Sequence, residues 1–444
     1  MIKTGTVLAG ALALVVAHGA AAQAPAAQHV EAALPGGNTW ISDVPAAWNG
    51  TVLLYSHGFA PGPANPPHDR PRAGGDELLA RGYALLGSSY SQTGWALAQA
   101  VPDQIAALDA FVARFGRPRR VIAWGDSMGG LVTAALVERY PGRIDGALPM
   151  CASVSGVVGM ENEALDGAWT LKTLVDPAAP LRIVGIWQPG APPPPLREEG
   201  PAVDALIAKA MATPAGRARL ALAAAFAQLP DVPDDKAPPA GADDPDGRVA
   251  AWARWFPMGV FLPRWDMERR AGGNASWNVD VDYAAQLARS GRHPLVEALY
   301  RRAGISLDGD LAVLAGATRI AADPAAVAYM TANFVPGGHL RRPVLTIHTT
   351  GDGATMVTYE QAYAAIVRRA GAEAMLRQAY VAGPGHCTFT AAETVAALEA
   401  IDRRIATGRW SGTDAAALNR SVAKVGESRY TDFRPNTFLR PTSP

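Results

Sequence analysis

The run Val121-Ile122-Ala123-Trp124-Gly125-Asp126-Ser127-Met128-Gly129-Gly130 limits the folds open to this chain more than any other stretch. A short apolar segment stops at a Gly-x-Ser-x-Gly, and Leu131 to Arg139 continues at once with helical spacing. Strand, sharp turn and helix in that order form the setting that presents a serine as a nucleophile. Gly125 and Gly129 answer a steric need: the serine takes a strained conformation and its neighbours must pass close to other backbone. The five-residue pattern is weak alone, because glycine and serine are common in loops. The rest of the chain has to supply a base, an acid and donors for a developing oxyanion.

Read in order, the flanking sequence alternates between two periods. His29 to Leu34 and Asn38 to Ser42 are expected to be strands around the Pro35-Gly36-Gly37 turn. Thr51 to Ser56 is a continuous apolar run ending at His57-Gly58-Phe59, which suits an inner strand covered on both faces. A proline-rich loop from Pro61 to Arg72, a short helix from Asp76 to Arg81 and a strand from Tyr83 to Ser88 follow. Pro102 to Phe115 carries Ile105, Leu108, Phe111 and Val112 at helical spacing, and Ile144 to Met150 is another buried strand. Such alternation predicts a parallel α/β sheet.

From about Ser155 to Gly338 the rhythm breaks into alanine-rich helical sequence, with proline-rich connectors at Gln188 to Pro201 and Pro230 to Pro245. This region reads as an inserted helical lid over 155–339, with Trp187, Trp252, Trp255, Trp265 and Trp277 in its core or facing a cleft. The sheet resumes with Pro343 to Thr349, a helix from Val357 to Arg369, a strand from Leu376 to Val381 and a helix from Ala391 to Ile405. The expected divisions are 23–154 and 340–408 for the two parts of the core, and 409–444 for a polar tail with few apolar anchors.

Lys+Arg and Asp+Glu are equal at 40 each in 444 residues, which removes the electrostatic case for nucleic acid or an anionic membrane as partner. Lys3, the apolar run Val7 to Ala17 and Ala20-Ala21-Ala22 read as a signal peptide over 1–22, with a buried N-terminal helix as the alternative. The mature protein is therefore expected to be secreted or periplasmic, without a stable membrane anchor. No His-x-x-x-His or Cys-x-x-Cys spacing occurs, and neither metal nor cofactor is expected.

Three reactive residues end strands in the order Ser127, Asp352, His386. A serine hydroxyl needs an adjacent base, which His386 supplies, and an acid to orient that base, which Asp352 supplies. The oxyanion donors are the N–H of Met128, at the positive end of its helix, and that of Phe59, with Ala60 the alternative. Each residue has a plainer reading: a turn serine, an aspartate capping the next helix, a loop histidine. No acid ends the strand before the insertion, where Cys151-Ala152-Ser153 stands, so Asp352 is the preferred acid.

With these residues in this order the chain resembles the α/β-hydrolase superfamily. His57-Gly58-Phe59, Gly125 to Gly130, Gly351-Asp352 and Gly385-His386 carry the likeness over residues 29–155 and 340–408. The resemblance implies a mostly parallel sheet of about eight strands flanked by helices, with a helical lid, and a serine hydrolase acting on a small-molecule or polymer ester. A peptidase of the prolyl-aminopeptidase type is the alternative, although His57-Gly58-Phe59-Ala60-Pro61-Gly62 departs from its His-Gly-Gly-Pro-Gly motif. A hydrolase-fold binding protein is a third reading, and it would be expected to lack a triad member. In the strand order the resemblance implies, the histidine loop crosses the strand end that carries Cys151. A Cys151–Cys387 disulfide is then expected, with two separate buried thiols as the alternative.

Overall fold

The computed structural model describes Met1 and residues 26–62, 67–71, 73–191, 199–232, 241, 243–261 and 264–442. The signal-peptide expectation rests on Lys3 to Ala22, and these lie outside the described residues, as do half of the first proline-rich connector and most of the second.

The first half of the core runs β1 (Gln28–Ala33), β2 (Thr39–Val44), β3 (Thr51–Ser56), α1 (Gly75–Ala80), β4 (Ala84–Ser88), α2 (Leu97–Phe115), β5 (Arg120–Asp126), α3 (Met128–Arg139) and β6 (Gly146–Met150). Between β6 and the next strand lie α4 (Val157–Val175), α5 (Gly200–Met211), α6 (Pro214–Phe226), α7 (Pro245–Gly259), α8 (Arg264–Ala271), α9 (Tyr283–Arg289), α10 (His293–Ala303), α11 (Leu307–Gly316) and α12 (Pro324–Phe334). The core then closes with β7 (Val344–Gly351), α13 (Thr358–Arg369), β8 (Leu376–Pro384), α14 (Ala391–Thr407), α15 (Ala415–Ser421) and β9 (Tyr430–Thr431).

The strands form one nine-stranded sheet in the order β1-β2-β4-β3-β5-β6-β7-β8-β9. Neighbours from β4 to β8 pair in parallel, while β1, β2 and β9 add antiparallel edges. β3 explains how the sheet is covered. All six of its residues are buried, with Val52 and Leu54 in the core beneath α2 and α3, and Leu53 and Tyr55 in the core beneath α1 and α14. A strand whose successive side chains point to opposite faces has to be apolar throughout when both faces carry helices. Its carboxyl end delivers His57-Gly58-Phe59 to the same edge at which β5, β7 and β8 deliver theirs.

One expectation is corrected. The helix expected to start at Pro102 starts at Leu97, so Pro102 sits inside its second turn. A proline there deletes only the bond to the Ala98 carbonyl, and the burial of Leu97, Ala100 and Val101 outweighs it. The polar tail docks. Leu418, Val422 and Tyr430 join the core under α14, and β9 supplies the ninth strand beside β8. Phe438 packs edge-on against Tyr359 with ring centroids 5.6 Å apart. The Leu439 N–H donates to Gln228 Oε1 at 3.1 Å. Arg440 lies buried over the Trp277 ring at 5.7 Å, with Nε 3.6 Å from Asp166 Oδ2. These anchors are single residues among polar ones, so no periodicity announces them.

Asp166 is buried on α4, and burial pushes its pKa to about 6 despite Arg440 and hydrogen bonds from Tyr283 and Gln286. Arg440→Met removes its cation and is expected to destabilise the fold by about 3 kcal/mol. Urea unfolding reads this directly, and a wild-type midpoint would show the docked tail to be dispensable.

Candidate active site

Ser127 stands between β5 and α3 with φ 55° and ψ −126°. The backbone around it is packed too tightly for side chains. A Cβ on Gly129 would collide with Ser56 O and stand 2.6 Å from His57 O, and one on Gly125 would stand 2.7 Å from Gly129 O. Gly58 is constrained less severely, since a Cβ there would lie 3.2 Å from Ser127 Cβ. The His57-Gly58-Phe59 turn therefore presses on the serine, while Met128 opens α3 on its other side. Tyr90, Cys151 and Cys387 share the positive φ of Ser127, at 50°, 42° and 57°. Each such residue costs of order 1–3 kcal/mol and persists only where the surroundings over-determine it.

His386 follows β8 and bridges the serine and the acid. Its Nε2 lies 2.9 Å from Ser127 Oγ, and its Nδ1 lies 2.8 Å from Asp352 Oδ2 and 3.1 Å from Oδ1. Nδ1 faces a carboxylate, so it carries the proton and leaves Nε2 as acceptor for the serine hydroxyl. Burial alone would lower the His386 pKa, but the charge and hydrogen bond of Asp352, with Asp126 beyond, hold it above the ordinary histidine value. For Asp352 burial alone would raise the pKa, yet the facing His386 and then His348 hold it below the ordinary carboxylate value.

Asp352 does not cap α13, whose N-cap is Val357. It orders its own loop, accepting the N–H groups of Ala354 and Thr355 at 2.9 Å each and the Thr355 hydroxyl at 3.0 Å. Asp126 accepts from Tyr55 Oη at 2.9 Å. His57 is buried and held neutral, its pKa lowered to about 4 by burial, and its Nδ1–H donates to Gly58 O at 2.8 Å.

Cys151 and Cys387 form a disulfide with Cα atoms 5.4 Å apart, joining the end of β6 to the residue after His386. Among the described residues, Cys151, His386 and Cys387 form the group whose donor atoms lie close enough to hold a metal. Both sulfurs are already bonded to each other, so the set does not serve as a ligand shell.

The segment between β6 and β7 braces the site from two sides. Trp255 of α7 packs on Gly353, where a Cβ would collide with its ring, and its indole donates to Val232 O at 2.5 Å. On the other side Asp266 of α8 accepts the Trp95 N–H at 2.8 Å. Trp95 in turn stacks obliquely against Phe59 at 5.4 Å, and Gly94 N–H donates to Ala60 O at 2.8 Å. Insertion residues thus hold both the acid loop and the turn after β3.

A mostly parallel sheet, a strained serine at a strand-to-helix turn and a histidine–carboxylate pair from later strand ends define an α/β-hydrolase. Comparison with known proteins agrees. The chain is 31% identical over 418 residues to the o-phthalyl amidase of Xanthobacter agilis, covering 87% of this chain and 89% of that one, and it belongs to the same family. Residues 22–181 also match a family model described as a tannase-like family of unknown function. Solved structures similar to it include feruloyl esterase B from Aspergillus oryzae, with TM-score 0.41 and 13% identity over 87% of this chain and 81% of that one. Acylaminoacyl peptidase from Pyrococcus horikoshii gives TM-score 0.34 and 9% identity, over 82% of this chain and 38% of that one. The protein is a hydrolase of the α/β-hydrolase superfamily.

Sequence reading missed Thr355, whose hydroxyl also reaches Cys151 O at 2.9 Å and lies 3.3 Å from His386 Nδ1. It missed His348 as well, a buried imidazole behind Asp352. The available signal was polarity in the wrong place: Thr346 and His348 alternate with apolar residues in a buried inner strand.

The disulfide closes a separation of 236 residues, worth about 5 kcal/mol by chain entropy. Non-reduced peptide mapping is expected to recover a Cys151–Cys387 pair, and the double serine variant to lose stability of that order. Two free thiols in oxidised protein would contradict the structure here.

Proposed function

We propose that the protein hydrolyses carboxylic acid derivatives through an acyl-enzyme on Ser127, with His386 as base and acid and Asp352 as the orienting carboxylate. The observation that carries this reading is the continuous hydrogen-bonded line from Asp352 through His386 to Ser127, at 2.8 and 2.9 Å. Ser127 Oγ attacks the carbonyl carbon while His386 Nε2 takes its proton. The oxyanion is met by the N–H groups of Met128 and Phe59, which flank the serine from α3 and from the turn after β3. His386 then protonates the leaving group, and water repeats the sequence to release the acid.

The bond cleaved is a carboxylic ester in the first reading. A second reading, hydrolysis of an o-phthalyl amide, is favoured by the 31% identity to the o-phthalyl amidase over most of both chains. Both use the same acyl-enzyme and differ in the leaving group that His386 protonates. The segment over 155–339 acts as the lid that selects the substrate, through its contacts to the acid loop and to the Phe59 turn. Secretion is part of the same proposal, supported by the N-terminal sequence and by a cross-link suited to an oxidising compartment. Among the described residues no helix is long and apolar enough to cross a membrane.

Purified protein assayed with a short-chain p-nitrophenyl ester, an o-phthalyl monoamide and an aminoacyl p-nitroanilide separates the readings. Ester turnover supports the first, o-phthalyl amide turnover the second, and anilide turnover alone the peptidase alternative. Ser127→Ala is expected to abolish turnover and fluorophosphonate labelling with the fold intact, and retained turnover would remove the serine from the mechanism. The pH profile gives an independent check. Only neutral imidazole accepts the serine proton, and its pKa lies above the ordinary value, so kcat/KM is expected to fall as pH drops through a point above about 6.5. A rate unchanged from pH 8 to pH 5 would overturn the assignment of His386.

A further inference from the structure

We propose that His348 is a positioning residue, a buried imidazolium fixed behind Asp352 that keeps this carboxylate ionised and moderates the basicity of His386. The inference rests on the triad reading above and adds a fourth and a fifth ionisable residue to it.

The hydrogen-bond partners set the protonation of His348. The side chain is fully buried on β7. Its Nε2 faces two acceptors, Thr355 O at 2.8 Å and Asp352 Oδ2 at 3.7 Å, so that nitrogen carries a proton. Its Nδ1 faces Glu360 Oε1 at 3.1 Å. Glu360 Oε2 accepts from the Thr346 hydroxyl and from Gln378 Nε2, the latter at 2.6 Å, and the Gln378 amide also donates to Glu360 O at 2.8 Å. A carboxylate met by this many donors is the ionised form, so Nδ1 carries a proton as well.

Four ionisable groups from three elements therefore alternate in type across the strand ends: Glu360 on α13, His348 on β7, Asp352 after β7 and His386 after β8. The other titratable neighbours on the packed elements are three phenols and Glu163. Burial raises the phenols of Tyr359, Tyr363 and Tyr380, with Glu163, Glu138 or Glu360 nearby raising them further, and burial raises Glu163 itself. Asp126 is the remaining acid acting on His386. For His348 burial alone would remove the proton, but Glu360 and then Asp352 hold its pKa above the ordinary value. The consequence for His386 has a definite sign. A positive charge behind Asp352 opposes formation of a second imidazolium in front of it, so His386 stays a usable base at lower pH than Asp352 alone would allow.

The test measures the acid limb of kcat/KM for wild type and His348→Gln, using whichever ester or amide the wild type turns over. The limb is expected to move up by roughly one pH unit in the variant, with KM unchanged because His348 does not touch substrate. A folded variant with an unmoved or lowered limb overturns the proposal and leaves His348 a structural residue. If His348→Gln does not fold, nitrogen-15 NMR of histidine-labelled Ser127→Ala protein at pH 8 decides, with His348 identified by its contacts to Thr355. Two protonated ring nitrogens are expected, and a single N–H overturns the proposal. Turnover surviving in Ser127→Ala would instead count against the triad itself, and the NMR result reads His348 independently of that outcome.

Discussion

The site depends on backbone meeting backbone where the ends of β3 and β5 touch the first turn of α3. The carbonyls of Ser56 and His57 occupy the space a side chain at Gly129 would need, and a Cβ at Gly58 would come within 3.2 Å of Ser127 Cβ from the other direction. Contact this close fixes the serine in a conformation it would not choose, since φ of 55° is unfavourable for any residue with a Cβ. Two strands and one helix must be in register before that geometry exists. The strained turn is a product of the assembled sheet and cannot be a property of the five-residue motif alone.

Around this rigid centre the chain uses different restraints for different partners. The acid is held by its own loop, through the Ala354 and Thr355 amides, and from above by Trp255 on Gly353. The base is held covalently, because Cys387 cannot move without β6. The turn bearing Phe59 is held through Trp95 and Gly94 by the Asp266 carboxylate, which Arg269 and Arg270 clamp at 2.6 and 2.9 Å. The inserted segment and the strand-end residues are therefore mechanically coupled, and repacking in α7 or α8 is felt at the Asp352 loop or the Phe59 turn.

Much of this was legible in the residues. Six consecutive buried positions in β3 announce a strand covered on both faces, and Gly351-Asp352 and Gly385-His386 announce themselves by ending such strands. What was illegible had weak local signals. Pro102 hides the true start of α2, because its cost is a single hydrogen bond near a helix end. β9 is two residues long and Arg440 is one charge in a polar tail, so neither produces a period. Thr355 and His348 have partners 31 and 12 positions away, at His386 and Glu360, which no local pattern reveals.

The docking of Phe438, Leu439 and Arg440 has a temporal meaning. Chains are made from the amino terminus, and helices α4 to α12 are complete some hundred residues before these three exist. The polar centre of the inserted segment, with Asp166 buried on α4, lacks its guanidinium throughout that interval. Asp352 and His386 are likewise added after the serine they serve. The strand ends facing Ser127 and the docking of Arg440 on Asp166 are therefore both completed only after the insertion, so a nascent chain carries Ser127 long before it carries Asp352 and His386.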